Sequence, residues 1–183
     1  MKQSELTMTT AQHRAWLRGE PAGVRANLSD ADLGGAYLSD ADLGGAYLGD
    51  ADLSGAEIAG TCLDPAAPVP ALTDEEITAA GLELDGPWVL GWRTARSMHV
   101  GSTVYAPGSV HVAPWFSVDA ATPCHPGIYL ASLAWLAQEF GSSSCAVVRC
   151  RALRAELVHA SDKWRARRLW IQGADGTWPE VAP

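Results

Sequence analysis

The densest site-like stretch in the chain is APWFSVDAATPCHPGIYLAS, which presents Cys124 and His125 as candidate catalytic residues. There Pro114, Pro123 and Pro126 stiffen a loop, and Gly127 allows close backbone approach. A thiol becomes a nucleophile when a base stands within about 3 Å and something lowers its pKa. Neighbouring extended residues point apart, so the base for Cys124 is expected from His99, His111 or His159 rather than from His125. Cys124, His125 and a further thiol are also the residue types of a metal site, but Cys62, Cys124, Cys145 and Cys150 lack the paired short spacing of zinc ligands. If Cys145 and Cys150 share a strand, their odd separation puts the two sulfurs on opposite faces. The competing reading is a proline-locked loop cysteine with a packing role. Neither a metal nor a cofactor is implied, and cytosolic thiols are the default.

A second set is ordered along the chain as Arg93, Ser117 and Glu156, each on a successive expected strand. ADP-ribosyltransferases are similar in that order. The resemblance implies Arg and Ser holding NAD and Glu stabilising the ribosyl transition state, but the Ser-Thr-Ser and paired-acid motifs of those enzymes are missing here. Tyr129, in the run P-G-I-Y, joins the candidate ligand-binding residues. A third set is electrostatic: Arg149, Arg151, Arg154, Lys163, Arg165, Arg167 and Arg168, interleaved with Trp164 and Trp170. Basic strands with aromatics track phosphates and stack bases, which makes nucleic acid or a nucleotide a candidate ligand, with Lys163 and Arg165 in contact with it. The plainer reading is a half-buried strand with Arg165 and Arg167 wet and Trp164 and Ala166 turned inward.

These residues need a scaffold. PWVLGWRT, SMHVGSTVY, SVHVAPWFS, GIYL, SCAVVRC, AELVHA and ARRLWI have strand composition. ASLAWLAQEF reads as a helix with Leu133, Leu136, Ala137 and Phe140 on one face and Gly141 as its stop. Strands around one helix predict a compact α+β domain over residues 87–183. Their order in a sheet does not follow from the sequence.

Residues 26–65 have another character. One five-residue phrase recurs eight times: ANLSD, ADLGG, AYLSD, ADLGG, AYLGD, ADLSG, AEIAG and TCLDP. Leu28, Leu33, Leu38, Leu43, Leu48, Leu53, Ile58 and Leu63 share one slot, and Ala26 through Ala56 share the slot two residues earlier. The period is neither 3.6 nor 2, so an ordinary helix or strand fails, and a fixed short period predicts a solenoid. A large residue beside a small one suits a narrow tube, and packing explains both slots without a ligand.

The phrase A(D/N)LxX resembles the signature of the pentapeptide-repeat family. The resemblance implies a short right-handed quadrilateral β-helix with four units per coil, the Leu and the preceding small residue pointing inward. Eight units then make two coils, a stub roughly 10 Å long. Longer members mimic duplex DNA with an extended acidic surface. Asp30, Asp32, Asp40, Asp42, Asp50 and Asp52 are acidic here, but duplex DNA carries a charge every ~1.7 Å over many turns, which two coils do not imitate. With four units per coil, residues twenty apart stack: Asp32 beneath Asp52 with Asp42 across the tube, and Tyr37 on Glu57 rather than on Tyr47.

A two-coil stub has open ends that expose backbone groups and apolar rungs. Over residues 1–25, Thr9 or Thr10 followed by AQHRAWLRGE predicts a capped lid helix with Ala11, Ala15 and Trp16 on one side and Pro21 and Gly23 ending it. Residues 66–86 read as a proline-rich connector and a brief helix whose capping box is Thr73 with Glu76 and which ends near Gly81. The lead-in HRAWLRGEPAGVRANL resembles that of bacterial and phage pentapeptide proteins. The run around Cys124 with the later KWRARRLWI resembles a domain of unknown function that succeeds such repeats, and no activity comes with it.

Composition fits two small folded regions. The chain has 183 residues, 48% of them apolar, and no apolar run long enough for a bilayer. MKQSELTMTT lacks the apolar core of a secretory signal. Up to Gly86 four Lys or Arg stand against fifteen Asp or Glu, and beyond it nine against six, so a net of −11 is joined to a net of +3. The expectation is a cytoplasmic binding or assembly protein, phage or prophage encoded by resemblance, with a protein partner and self-association. The alternatives are an enzyme or small-molecule-binding protein with a pocket at Cys124 and His125, with thiol or ADP-ribosyltransferase-like chemistry, and a nucleic-acid binder through the basic strands from Arg149 to Arg168.

Overall fold

The computed structural model describes residues 1–97, 103–121, 126–141, 145–160 and 163–180. The chain forms two units: Met1–Pro68 with Trp115–Gly127, and Val69–Pro114 with Ile128–Pro183. The sequence suggests a division near residue 86 instead. Residues 69–86 fold into the second unit, where Leu72, Ile77 and Leu82 are buried in its core, and the Trp115–Gly127 range groups with the repeats.

In the first unit every repeat makes one turn. The N–H of Ala31, Ala36, Ala41, Ala46, Ala51 and Ala56 donates to the carbonyl of the Leu three residues earlier, at 2.9–3.4 Å. The third residue of successive turns, Asp30, Gly35, Asp40, Gly45, Asp50, Gly55 and Gly60, has φ between 55° and 77°. A single left-handed residue at that place is the requirement of a type II turn, which selects Gly and tolerates Asp. Asn27, Asp32 and Tyr37 pair in parallel with Tyr47, Asp52 and Glu57. Leu33 N–H donates to Asp52 O at 2.8 Å and Asp52 N–H to Ala31 O at 3.0 Å. Stacking at twenty residues, four repeats per coil, is the register expected from the sequence, and the segment is a β-helix-like stub.

The seven leucines of the ladder are at most 2% exposed and Ile58 is 8%, each burial contributing about 1.5–3 kcal/mol. Among the small residues Ala26 and Ala46 are buried and the other alanines partly so. Asp32, Asp42 and Asp52 sit outside, each Oδ1 accepting from the N–H two residues on at 2.9–3.2 Å. The stacked Asp32 and Asp52 carboxylates are therefore hydrogen-bonded locally and solvated.

Helix α1, Gln3–Leu17, is longer than the expected lid. Thr9 and Thr10 lie inside it, not at its cap, and their hydroxyls donate to the carbonyls of Glu5 and Leu6. The buried side is Leu6 and His13, whereas Ala11 and Trp16 are exposed and Ala15 is half-buried. Leu6 packs in the same cluster as the leucine ladder.

The second unit is α+β. Strands β1 (Glu83–Asp85), β2 (Trp88–Thr94), β3 (Val110–Val112), β5 (Val147–Leu153) and β8 (Arg168–Ile171) form an antiparallel sheet in the order β1-β2-β5-β8-β3. Strands β4 (Ile128–Leu130), β6 (Leu157–Ala160) and β7 (Lys163–Ala166) form a second sheet in the order β4-β7-β6. Mutual bonds between Trp92 and Ala131, both 2.8 Å, join the two. ARRLWI, expected as one strand, is split at Arg167 between β7 and β8. Helix α2 (Asp74–Ala79) has the expected capping box: Thr73 N–H donates to Glu76 Oε2 at 2.7 Å, and Glu76 N–H to Thr73 Oγ1 at 3.1 Å. Helix α3 (Leu133–Phe140) is capped by Ser132 and stopped by Gly141 at φ 57°. Only Leu136 of its expected face is buried; Leu133 and Ala137 are exposed.

Candidate functional site

Pairing decides which side chains share a face of the five-stranded sheet, because residues directly opposite and residues two apart point the same way. Val89 opposes Ala152, Gly91 opposes Cys150, and Cys150 opposes Ile171. These positions of the inner face are buried, Gly91 included, and Val148 further along β5 is partly so. The other face carries Trp88, Leu90 and Trp92 on β2, Arg149 and Arg151 on β5, and Arg168 and Trp170 on β8. Here guanidinium groups stack on indoles. Arg151 lies 4.0 Å from Trp88 and 4.7 Å from Trp178, Arg149 lies 5.8 Å from Trp92, and Arg168 lies 5.2 Å from Trp170. Val110, Val112 and, in line with Arg149, Val147 are exposed at 41%, 64% and 38%. The period-two spacing of Trp88 with Trp92 and of Arg149 with Arg151 is the sequence signal for this surface.

Much of the positive charge is met by carboxylates. Arg149 pairs with Glu83 and Arg154 with Asp74, both at 2.5 Å. Arg168 grips Glu156 with two bonds, 2.9 Å from Nε and 2.6 Å from Nη2, which raises the Arg168 pKa. Counted over the structural units rather than at Gly86, the first unit carries four basic against eleven acidic residues and the second nine against ten. The basic half expected from the sequence is therefore close to neutral as a folded unit, because Asp74, Glu75, Glu76, Glu83 and Asp85 fold with it.

The other candidate residues are held by structural bonds. Arg165 is fully buried, not on a wet face, and its Nε donates to Tyr129 Oη at 3.0 Å. These two residues oppose each other across β4 and β7. Lys163 Nζ lies 5.4 Å from the Trp135 ring. Ser117 is fully buried in the first unit, its Oγ accepting from Asp119 N–H at 3.2 Å. Arg93 and Glu156 belong to the second unit. Arg93 opposes Val148 near one end of the β2–β5 ladder, while Glu156 follows Leu153 at the other, so five residues of strand, about 17 Å, separate them. Cys124, His125 and His99 lie outside the described residues. Among the described residues no group of three or more His, Cys, Asp or Glu is placed to hold a metal. His111 is half-buried against Tyr105, and His159 stacks on Trp164 at 4.3 Å.

In the first unit the fourth side of the coil departs from the other three. Continuing the twenty-residue register, Leu43 and Gly45 would donate to Cys62 and Asp64. Instead Val118 N–H donates to Cys62 O, and Gly45 N–H donates to Asp119 Oδ2, both at 2.8 Å. A short piece of chain from far along the sequence is thus spliced into the coil. Beside it lies a cavity of about 320 Å³ lined by Leu43, Gly44, Gly60, Cys62, Val118 and Asp119 among others.

Eight copies of the pentapeptide repeat match the family model over residues 26–64. This segment is a pentapeptide-repeat array. No curated protein matches the chain, and no solved structure does. The pentapeptide stub is closed at its leading edge by α1. Met1 N donates to Asp32 O at 2.6 Å, and the Gln3 amide engages Tyr37. His13, fully buried, accepts at Nδ1 from Ala26 N–H (3.2 Å), so Nε2 carries the proton and donates to Gly44 O (3.0 Å). Burial, ahead of the other influences, lowers the His13 pKa. Arg25 extends the seal, donating to Gly45 O and Tyr47 Oη with its guanidinium 3.9 Å from the Tyr47 ring. None of these side chains carries a repeat signature. No helix among the described residues is long and apolar enough to cross a membrane.

Proposed function

We propose that this chain is a binding or assembly protein that recognises a protein partner through the outer face of its five-stranded sheet, with the pentapeptide stub as platform. One observation carries the reading: half-buried Trp88 and Trp92 interleaved with Arg149, Arg151 and Arg168 over the buried Trp170, beside exposed Val112 and Val147. Trp and Arg are the residues that dominate binding energy at protein interfaces, because each offers a large desolvated area and a directional polar group. The pairing of Arg149, Arg154 and Arg168 with carboxylates favours this over tracking of a phosphate backbone, which needs unpaired cations.

The proposal extends to the finer shape and setting. The stub is taken as the right-handed, four-sided coil of its family, the protein as cytoplasmic and of phage or prophage origin, and the second unit as the domain of unknown function that succeeds such repeats. The lead-in and P-G-I-Y resemblances support this. Thiol chemistry at Cys124 with His125 is the second reading, supported by the proline-locked sequence around them.

The test is site-specific photo-crosslinking in the native host, with the crosslinker at Val112, at Val147 and, on the stub, at Asp30. One discrete protein adduct from the sheet positions and none from Asp30 is the expected result. Adducts at Asp30 alone would move recognition to the stub, and oligonucleotide adducts at the sheet would replace the protein partner by nucleic acid.

A further inference from the structure

Arg93 is the one charged residue of the inner sheet face on β2, next in line after Gly91 among the core positions. It is 8% exposed. Its Nε donates to Thr94 O at 3.3 Å, the guanidinium carbon lies 3.2 Å from the Tyr105 ring centre, and a further bond goes to the Tyr105 side chain. Nη1 is buried with no hydrogen-bond partner. Among the described residues no ion pair includes Arg93. The acidic group nearest in kind is Cys150, whose thiol burial pushes up to about 12, so it is neutral at physiological pH.

A guanidinium does not shed its proton in a protein, so burial leaves a full positive charge in the core. An uncompensated buried charge is strongly destabilising, and an aromatic face offsets only part of that. Nη1 has two N–H donors aimed at no protein acceptor. We infer that Arg93 anchors an anion-binding site that takes a carboxylate, with Tyr105 as its wall and His111 and Ser109 at its mouth.

The mouth is placed by contact and exposure. The His111 ring stands 4.6 Å from that of Tyr105, and His111 Nε2 and Ser109 Oγ share a 2.8 Å bond. Both residues are half-buried, unlike Arg93 and Tyr105 behind them. Charge sets the class. Burial first, and then the field of Arg93, hold the His111 pKa below its usual value, so the imidazole is neutral at pH 7 and the site offers one positive charge. A singly charged carboxylate matches it, and a dianionic phosphate leaves excess charge in the core. The site is independent of the sheet's outer face.

The experiment uses the full chain, with NMR of the Arg93 side-chain N–H groups and thermal unfolding during titration with formate, N-acetylglycine or phosphate against chloride at constant ionic strength. Saturable shifts at Arg93 and a rise in Tm with formate are expected in the wild type, and the affinity read from the Tm rise should fall about tenfold or more in Arg93→Lys because the fork is lost. Formate alone points to a small enclosed acid; N-acetylglycine binding as well points to a peptide terminus. Equal effects of chloride, no saturable shift, or phosphate binding in preference to formate would each overturn the assignment. Should Arg93→Lys not fold, the wild-type titration decides on its own.

Discussion

The side-chain amide of Gln3 pairs with both backbone groups of Tyr37: Nε2 donates to Tyr37 O at 3.3 Å, and Tyr37 N–H donates to Oε1 at 3.2 Å. Tyr37 pairs with Glu57 on the side where the second coil lies. Gln3 occupies the place that an earlier coil would fill, a one-residue imitation of the missing strand. Gln3→Ala should therefore leave two edge groups to water and cost about 1 kcal/mol, read as faster hydrogen exchange at the Tyr37 amide with the Glu57 amide unchanged.

His13 makes the same lid sensitive to acid. Its folded pKa is lowered from 6.5, chiefly by burial, with Arg25 adding to the fall and Gly44 and Asp42 opposing it. The native state thus prefers the neutral ring, since protonation would turn Nδ1 into a donor facing Ala26 N–H. Stability from this group is complete above pH 6.5 and is lost as pH falls below it. Urea unfolding between pH 8 and pH 5 should show that decline, and His13→Gln should flatten it.

Glycine is required more strictly at some corners than at others. Gly35 (φ 67°) has open space where a Cβ would go, whereas at Gly60 (φ 72°) the Cβ would land on the Asp40 carboxylate one coil away. Gly35→Ala should cost about 1–2 kcal/mol for the left-handed backbone alone. Gly60→Ala should cost more, and in a thermal melt the excess should vanish when Gly60→Ala is measured in an Asp40→Gly background, which removes the carboxylate and suits the left-handed corner.

The splice on the fourth side hangs on Asp119, whose Oδ2 accepts from Gly45 N–H and Oδ1 from Ala121 N–H, both at 2.8 Å. Asp119→Ala should cost about 1–3 kcal/mol by orphaning those donors, and Asp119→Asn less, since one acceptor oxygen stays. Hydrogen exchange at Gly45 and Val118 should quicken in the alanine variant while Leu33 and Asp52, bonded to Asp52 O and Ala31 O, stay protected.

Glu156, an expected active-site acid, is engaged by Arg168 with side-chain exposures of 18% and 30%. Glu156→Gln should lower unfolding free energy by about 1 kcal/mol after solvent screening is allowed for. A variant as stable as the wild type would free this carboxylate for another role.

The pentapeptide stub is legible in the sequence because its contacts are local and repeated. A five-residue period confines each Leu to the axis, and with the four units per coil that the family resemblance implies, the pairing of Asp32 with Asp52 and of Tyr37 with Glu57 follows by counting. The capping box of Thr73 with Glu76 and the stop at Gly141 are equally local. By contrast, Thr9 and Thr10 pass for a helix cap in sequence, because hydroxyls that bond back to Glu5 and Leu6 inside a helix belong to the same residue types.

By itself, then, the order of residues determined a Leu-lined solenoid and the α+β character of the second unit, and the family resemblance added the register of the coil. Tertiary structure alone decided that Arg149 is neutralised by Glu83, 66 residues away, that Asp119 reaches back to Gly45 across 74, and that Arg93 is buried without an acid. The reason is one of range: a repeat states its own neighbours every five residues, whereas the charge balance of a sheet depends on which distant strands lie side by side.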